Sequence, residues 1–190
     1  MEKNRKLQII QAAVKRFTKH GISKTTLDEI ARDLRIGKAT IYHYFQSKEE
    51  LYYATIELRT HEYLEVIQNI FNNEEKPIEE RFIEYFGFKS CLAEKYQLIY
   101  ELVLMVLRDN NFEPELNVLK NLINKEKEIL KNVFNKINRV KYNDSSLSEF
   151  FVMQSWGFMF SQKLNVPASQ EQDSNIREMI QKVLKNILDN

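Results

Sequence analysis

Four glycines and three prolines in 190 residues leave little material for tight turns. Sheets need such turns, so the shortage argues for long helices, and Leu, Ile, Lys, Glu and Asn are abundant enough to build them. The single cysteine, Cys91, excludes an internal disulfide and suits a reducing compartment. Its simplest role is that of a small core residue. No long apolar run exists. The longest, Leu102 to Leu107, is far too short to span a bilayer. The charged start (Glu2, Lys3, Arg5, Lys6) carries no apolar segment of the signal-peptide kind, so a cytoplasmic protein is expected.

Catalytic signatures are missing as well. There is no G-x-x-x-x-G-K, no G-x-G-x-x-G and no G-x-S-x-G. His20, His43 and His61 are scattered and form no H-E-x-x-H pattern, so no metal site, cofactor or enzyme activity is expected. His20 reads as a favourable charge near a helix C-terminus.

Net charge is small, +1, but it is unevenly placed. Residues 1–48 hold 11 Lys/Arg against 4 Asp/Glu, and residues 49–190 hold 17 against 23. A basic head on an acidic body suggests that only the head meets a polyanion.

The stretch Thr25 to Lys48, TTLDEIARDLRIGKATIYHYFQSK, organises the chain. Thr26 with Glu29 makes a capping box, followed by Leu27, Ile30, Ala31 and Leu34 on one helical face. Arg35-Ile36-Gly37 breaks that helix, and Gly37 is the residue suited to a positive φ. Lys38 to Phe45 forms a second short helix with Ile41 and Phe45 facing the core. Ser47 with Glu50 is a second capping box. Two short helices joined by a tight turn are the geometry that lays the second helix in a DNA major groove.

The run resembles the helix-turn-helix of TetR-type (TetR/AcrR) transcriptional regulators. The resemblance rests on Thr25-Thr26 before Ile30-Ala31, on Gly37-Lys38-Ala39-Thr40-Ile41-Tyr42, and on Tyr44-Phe45 followed by Lys48-Glu49-Glu50-Leu51. It covers roughly residues 5–52. It implies that Tyr42, His43 and Tyr44 occupy positions that meet DNA. The residue chemistry adds detail. Lys38 reaches guanine or phosphate, Thr40 offers a hydroxyl, and Ala39 fits a thymine methyl. Tyr42, Tyr44, Thr25, Thr26 and Lys48 suit phosphate contacts that set register.

The whole is read as all-α with about nine helices: a DNA-binding head, residues 1–47, and a ligand-binding and dimerisation body, residues 48–190. Expected helices run from about Asn4 to His20, ended by Gly21 as a left-handed cap, then through the head. They continue as Lys48–Phe71, Pro77–Ala93, Tyr96–Leu107, Pro114–Val140, Ser146–Asn165 and a last helix from Ser169 or Asp173 to Leu188. Leu7, Ile10, Ala13, Val14 and Phe17 form the first stripe. Phe17, Leu27, Ile30, Leu34, Ile41 and Phe45 make the head core. Polar turns are expected at Asp109–Asn111 and Lys141–Asp144, and a break at Val166–Ala168.

Tyr63, Phe82, Phe86, Tyr100, Leu104, Met105, Phe151, Met153 and Trp156 are candidates for an inducer pocket, which the resemblance implies; plain core packing is the alternative for each. Glu101 interrupts an apolar helix and would suit a cationic or hydrogen-bonding ligand, or simply a surface ion pair. The last two helices resemble the four-helix interface through which such proteins dimerise, with Phe150, Phe158, Ile176, Ile180, Val183 and Ile187 as interface candidates. The implied protein is a homodimer on pseudo-palindromic operator DNA, a repressor released by a small apolar or amphipathic effector. The alternative is a helical small-molecule carrier with an idle head.

Overall fold

The computed structural model describes residues 2–108, 113–137, 144–163 and 170–188, with side chains over 4–108, 113–137, 144–160 and 177–187. Ten helices and no strand occur among them. They are α1 (Glu2–Lys24), α2 (Leu27–Asp33), α3 (Lys38–Tyr44), α4 (Lys48–Asn72), α5 (Ile78–Ser90), α6 (Leu92–Lys95), α7 (Gln97–Arg108), α8 (Glu113–Lys136), α9 (Asp144–Lys163) and α10 (Gln170–Leu188). The tenth helix arises because the segment expected to reach Ala93 stops at Ser90 and resumes as the single turn α6. None of the described helices is long and apolar enough to cross a membrane. The turn expected at Asp109–Asn111, the break at Val166–Ala168, and Val140 lie outside the described residues, as does the loop expected at Lys141–Asp144 except for Asp144, which instead begins α9.

Helix α1 stops being helical at Gly21, where φ is 76° and ψ 162°. The positive φ was expected, but this ψ is extended and differs from the left-handed cap. The buried stripe of α1 is Ile9, Ala13 and Phe17, four residues apart. Leu7 is exposed, and Ile10 and Val14 only pack against the edge of the core. The stripe is set by α4, which lies along α1 and brings Tyr52 edge-on to Phe17, ring centres 5.7 Å apart. Leu27, Ile30, Ala31, Ile41 and Phe45 complete the head core, while Leu34 caps α2 and is half-buried.

The turn between α2 and α3 corrects the expectation for Gly37. Gly37 has φ −71° and is the extended N-cap of α3. The left-handed residue is Arg35, at φ 53°. The Ile36 N–H donates to the Ala31 carbonyl at 3.0 Å, and the Arg35 N–H to the Arg32 carbonyl at 3.1 Å. That pair of bonds is the Schellman ending of a helix, with Arg35 where glycine is usual.

Helix α4 is the spine. It contacts α1 at its head end and α5, α7 and α8 along the body. Ser47 caps it by accepting from the Glu50 N–H at 3.0 Å. The return bond departs from a regular capping box: the Glu50 carboxylate takes the Gln46 N–H, at 2.6 Å. In the body, α8 lies against α9, and α5 against α9 and α10. Phe71, Phe82, Phe134 and Phe151 form its aromatic centre, with Phe82 and Phe151 4.6 Å apart.

Candidate nucleic-acid interface and the buried body cluster

Helix α3 is short and anchored by one buried residue, Ile41. Everything else it carries is therefore turned away from the core to some degree. Lys38, Ala39, Tyr42 and His43 are exposed, and Thr40 and Tyr44 are half-buried. The His43 and Tyr44 rings meet edge-on at 5.0 Å. Lys38 Nζ lies 2.8 Å from Asp28 Oδ2 of α2 and 5.8 Å from the Tyr42 ring centre. The Asp28 hydrogen bond raises the Lys38 pKa above its ordinary value. This face presents a cation, two aromatic rings and a small methyl side by side, a set that suits base edges and phosphates.

Two expected phosphate contacts are placed differently. Thr25 is buried, and its hydroxyl donates to the Gly21 carbonyl at 2.9 Å. It closes the end of α1 and leaves no side-chain donor for a phosphate. Thr26 is the N-cap of α2: its hydroxyl accepts from the Glu29 N–H and donates to Glu29 Oε2, at 3.3 and 2.9 Å. The Thr26 N–H, which donates to Glu29 Oε2 at 2.8 Å, and then the Thr26 hydroxyl hold the Glu29 carboxyl below its ordinary range. Lys48 is half-buried and donates from Nζ to the Ile22 carbonyl at 2.9 Å, which leaves two of its three donors.

Sequence reasoning missed the ion pairs that set this face. Arg16 of α1 grips Asp33 at the end of α2 with two bonds, 2.6 and 2.7 Å long. That bidentate grip holds the Asp33 carboxyl below its ordinary range. Asp28, the partner of Lys38, was likewise legible only as a first-turn acid.

The nine candidate pocket residues do not line one cavity. Tyr63, Phe82, Phe86, Phe151 and Trp156 are buried. Tyr100, Leu104 and Met105 are half-buried on α7. Met153 is 44 % exposed on α9 and is corrected to a surface residue. Phe82 and Phe151 belong to the solid aromatic centre. Phe86 and Phe151 edge a cleft of about 340 Å³ between α5, α9 and α10. A larger cleft, about 870 Å³, opens between α1, α4 and α8 beside Tyr53, His61 and Val118.

The interface candidates also divide. Ile180 and Ile187 are buried within the chain, where α10 meets α5. Phe158 and Val183 are half-buried and Phe150 is 47 % exposed. The Ile176 side chain lies outside the described residues. Met179, 65 % exposed, joins Phe150 and Met153 on the outer face.

Tyr63 and Trp156 converge on a buried ion pair, Lys89 of α5 and Glu126 of α8, with Nζ 2.6 Å from Oε1 and neither side chain exposed. Glu126 also accepts from Tyr85 Oη at 2.5 Å, from Trp156 Nε1 at 3.0 Å and from Tyr63 Oη at 3.3 Å. Burial pulls the Lys89 ammonium down to about 8 against the opposing pull of Glu126. Burial, then Glu126, pushes the Tyr63 and Tyr85 hydroxyls well above 10. In the sequence Lys89 follows Phe82, Tyr85 and Phe86 at helical spacing, which is the signal that could have placed it in the core. Glu126 sits in the charged run Lys125–Glu128 and carried no signal. Among the described residues no group of His, Cys, Asp and Glu is arranged to hold a metal. Cys91 is half-buried at the junction of α5 and α6.

Residues 9–55 match the family of bacterial regulatory proteins, tetR family. An uncharacterised HTH-type transcriptional regulator of Bacillus subtilis, YhgD, is 46 % identical over 52 residues, 27 % of each chain. The IcaR of Staphylococcus aureus, a negative transcriptional regulator of a biofilm operon, is 29 % identical over 93 residues, 49 % of this chain and 50 % of that one. The chain thus spans about a quarter to a half of the length of these curated relatives. Over nearly the whole fold, a transcriptional regulator from Cytophaga hutchinsonii superposes with TM-score 0.70 at 27 % identity, covering 95 % of this chain and 96 % of the other. Head sequence and whole-chain architecture agree: residues 9–55 are a helix-turn-helix head of the tetR family, carried on a chain with the fold of a solved transcriptional regulator.

Proposed function

We propose that the protein is a homodimeric, ligand-responsive repressor that binds pseudo-palindromic operator DNA through its head, residues 1–47, and senses an effector with its body, residues 48–190. The observation that carries the reading is α3: a helix anchored by Ile41 alone, with Lys38, Ala39, Tyr42 and His43 exposed together. Tyr44 at its end and Lys48 just beyond it supply phosphate contacts. Two such heads occupy successive major grooves, about one helical turn apart.

Dimerisation uses the outer face of α9 and α10, where Phe150, Met153 and Met179 stand exposed on one chain. Repression is supported by the description of IcaR as a negative regulator. The spine α4 links the two functions, because it carries Tyr63 at the buried cluster and begins beside the recognition helix. An effector that favours one setting of α4 changes operator affinity only by its own difference in affinity for the two settings.

Selection of genomic fragments by the purified protein, followed by mobility shift on the enriched sequence, tests the reading. A palindromic motif bound with steep salt dependence is expected. Enrichment of no motif, with binding equal on unrelated DNA, would overturn it.

A further inference from the structure

Lys89 occupies a box. Its Nζ lies 4.0 Å from the Trp156 ring centre, 5.1 Å from Tyr63 and 5.6 Å from Tyr85. Glu126 closes the fourth side at 2.6 Å. Aromatic faces plus one carboxylate are the standard means of holding an ammonium out of water. The walls come from four helices, α4, α5, α8 and α9.

Two features set the box apart from an ordinary buried ion pair. First, the walls hold themselves. Glu126 is served by Tyr85, Trp156 and Tyr63, so the carboxylate is fixed and solvated by donors other than the lysine. Second, the lysine fits its box imperfectly. Its three donors face a single acceptor, Glu126 Oε1 at 2.6 Å and off the line of a regular hydrogen bond, although Nζ is fully buried. The tether to α5 fixes where the ammonium comes from. An untethered ammonium is free to turn its donors onto the carboxylate. Fold stability alone does not call for a lysine here, because apolar side chains of similar volume commonly replace buried ion pairs without loss.

We propose that this box is a binding site for the head group of an organic monocation, and that Lys89 is its resident, displaceable occupant. The proposal rests on the ligand-responsive reading above and names the class of effector. The exchange is one cation for another at the Glu126 carboxylate: burial is what holds Lys89 down to about 8, so the side chain displaced into water is an ordinary ammonium and no proton is released. The other titratable groups facing it are Glu126 of α8, Tyr63 of α4 and Tyr85 of α5, and both tyrosines stay protonated well above pH 10. Above pH 8 the boxed Lys89 is increasingly neutral and takes up a proton when displaced into water, so affinity for a cation that cannot lose a proton falls as pH rises past about 8. Since Lys89 and Glu126 are both fully buried, exchange requires α5 to shift against α9, and Tyr63 carries that shift to α4.

Trp156 is the only tryptophan and forms one wall, so its emission reports occupancy. The full-length Lys89→Ala protein lacks what n-propylammonium would restore. At ten times its Kd, that amine should raise the melting temperature of the variant by about 4 °C beyond an equal concentration of KCl. It should also change Trp156 emission, and Glu126→Gln in the same background should abolish both effects. In the wild-type protein, tetramethylammonium should change Trp156 emission and bind more weakly at pH 9 than at pH 7.

Absence of both the variant's rescue and the wild-type response would overturn the proposal. Rescue without any wild-type response would also overturn it, making Lys89 a permanent plug. If Lys89→Ala is unfolded without amine, recovery of its helical circular dichroism on adding amine is the readout, and no recovery counts against the site. Sequence-specific DNA binding on the same samples separates this from the function: a failed rescue beside intact DNA binding sinks only the cation site, and the reverse result sinks only the regulator reading.

Discussion

Lys38, the exposed cation at the start of the recognition helix, is already paired: its ammonium lies 2.8 Å from the Asp28 carboxylate of the preceding helix. DNA must either displace Asp28 or be met by a lysine whose charge is neutralised. Exposed pairs of this kind contribute at most about 1 kcal/mol to stability, so the pair is easily broken. Asp28→Asn should leave the melting temperature nearly unchanged, tighten operator binding and steepen its salt dependence. If Lys38 then takes one more phosphate per head, the log–log slope steepens by about 1.8 for a dimer. Unchanged affinity and slope would show that Lys38 does not reach DNA.

Lys48 serves two roles that one substitution separates. Its bond to the Ile22 carbonyl ties α4 to the end of α1. Lys48→Ala should lower the stability of the protein by about 1 kcal/mol, read as a shift in the denaturant midpoint. If its free donors also meet a phosphate, the salt slope should flatten by about 0.9 per head. Loss of stability with an unaltered slope would make Lys48 purely structural.

Arg35 holds a left-handed conformation at φ 53°. That conformation costs a side-chain-bearing residue roughly 1 kcal/mol relative to glycine. Arg35→Gly should therefore stabilise the head by a little under that, since glycine also loses more freedom on folding. Thermal unfolding decides it; a clear destabilisation would mean that the Arg35 side chain makes a contact worth more than the strain.

Neighbours on α10 should respond in opposite ways. Met179 is 65 % exposed and Ile180 is buried. Met179→Glu should keep normal helicity and sediment as a monomer at concentrations where the wild type is a dimer. Ile180→Glu buries an unpaired charge, at a cost of at least about 3 kcal/mol, and should unfold the protein before any question of assembly arises. A stable Met179→Glu dimer would move the interface elsewhere.

Alkaline pH should unfold the protein through its tyrosines. Burial, the leading cause, holds Tyr52 and Tyr53 at about 12, against 10 in the unfolded chain. Their contribution is complete below pH 10 and is lost as pH rises towards 12. Lys89 acts in the opposite sense, because its folded value of about 8 lies below the unfolded 10.5. Stability should hold or rise between pH 8 and 10 and fall beyond it. Lys89→Met should remove the rise and leave the fall.

The head was legible in the sequence because its signals are local. A capping box depends on residues three apart, and the Thr26–Glu29 box formed as read. Helical spacing alone placed Ile30, Ile41 and Phe45 in the core. Even here the reading slipped where the answer lay in another helix. Ile9 replaced Leu7 on the buried face because α4 chooses which side of α1 is covered. Thr25 turned inward because the kink at Gly21 presents a carbonyl to its hydroxyl.

By itself, then, the sequence determined helix class, the position of the helix-turn-helix and the excess of basic residues in the head, since each follows from residue type and short-range periodicity. Tertiary structure alone decided that Lys89 meets Glu126, that Tyr63 and Trp156 face the same ammonium, and that Ile180 is covered while Met179 is not. Those facts depend on how four helices distant in the chain are rotated about their axes. Periodicity marks a helix's apolar face, but not which partner fills it. A lysine and a glutamate 37 positions apart become one ion pair only once α5 and α8 have packed.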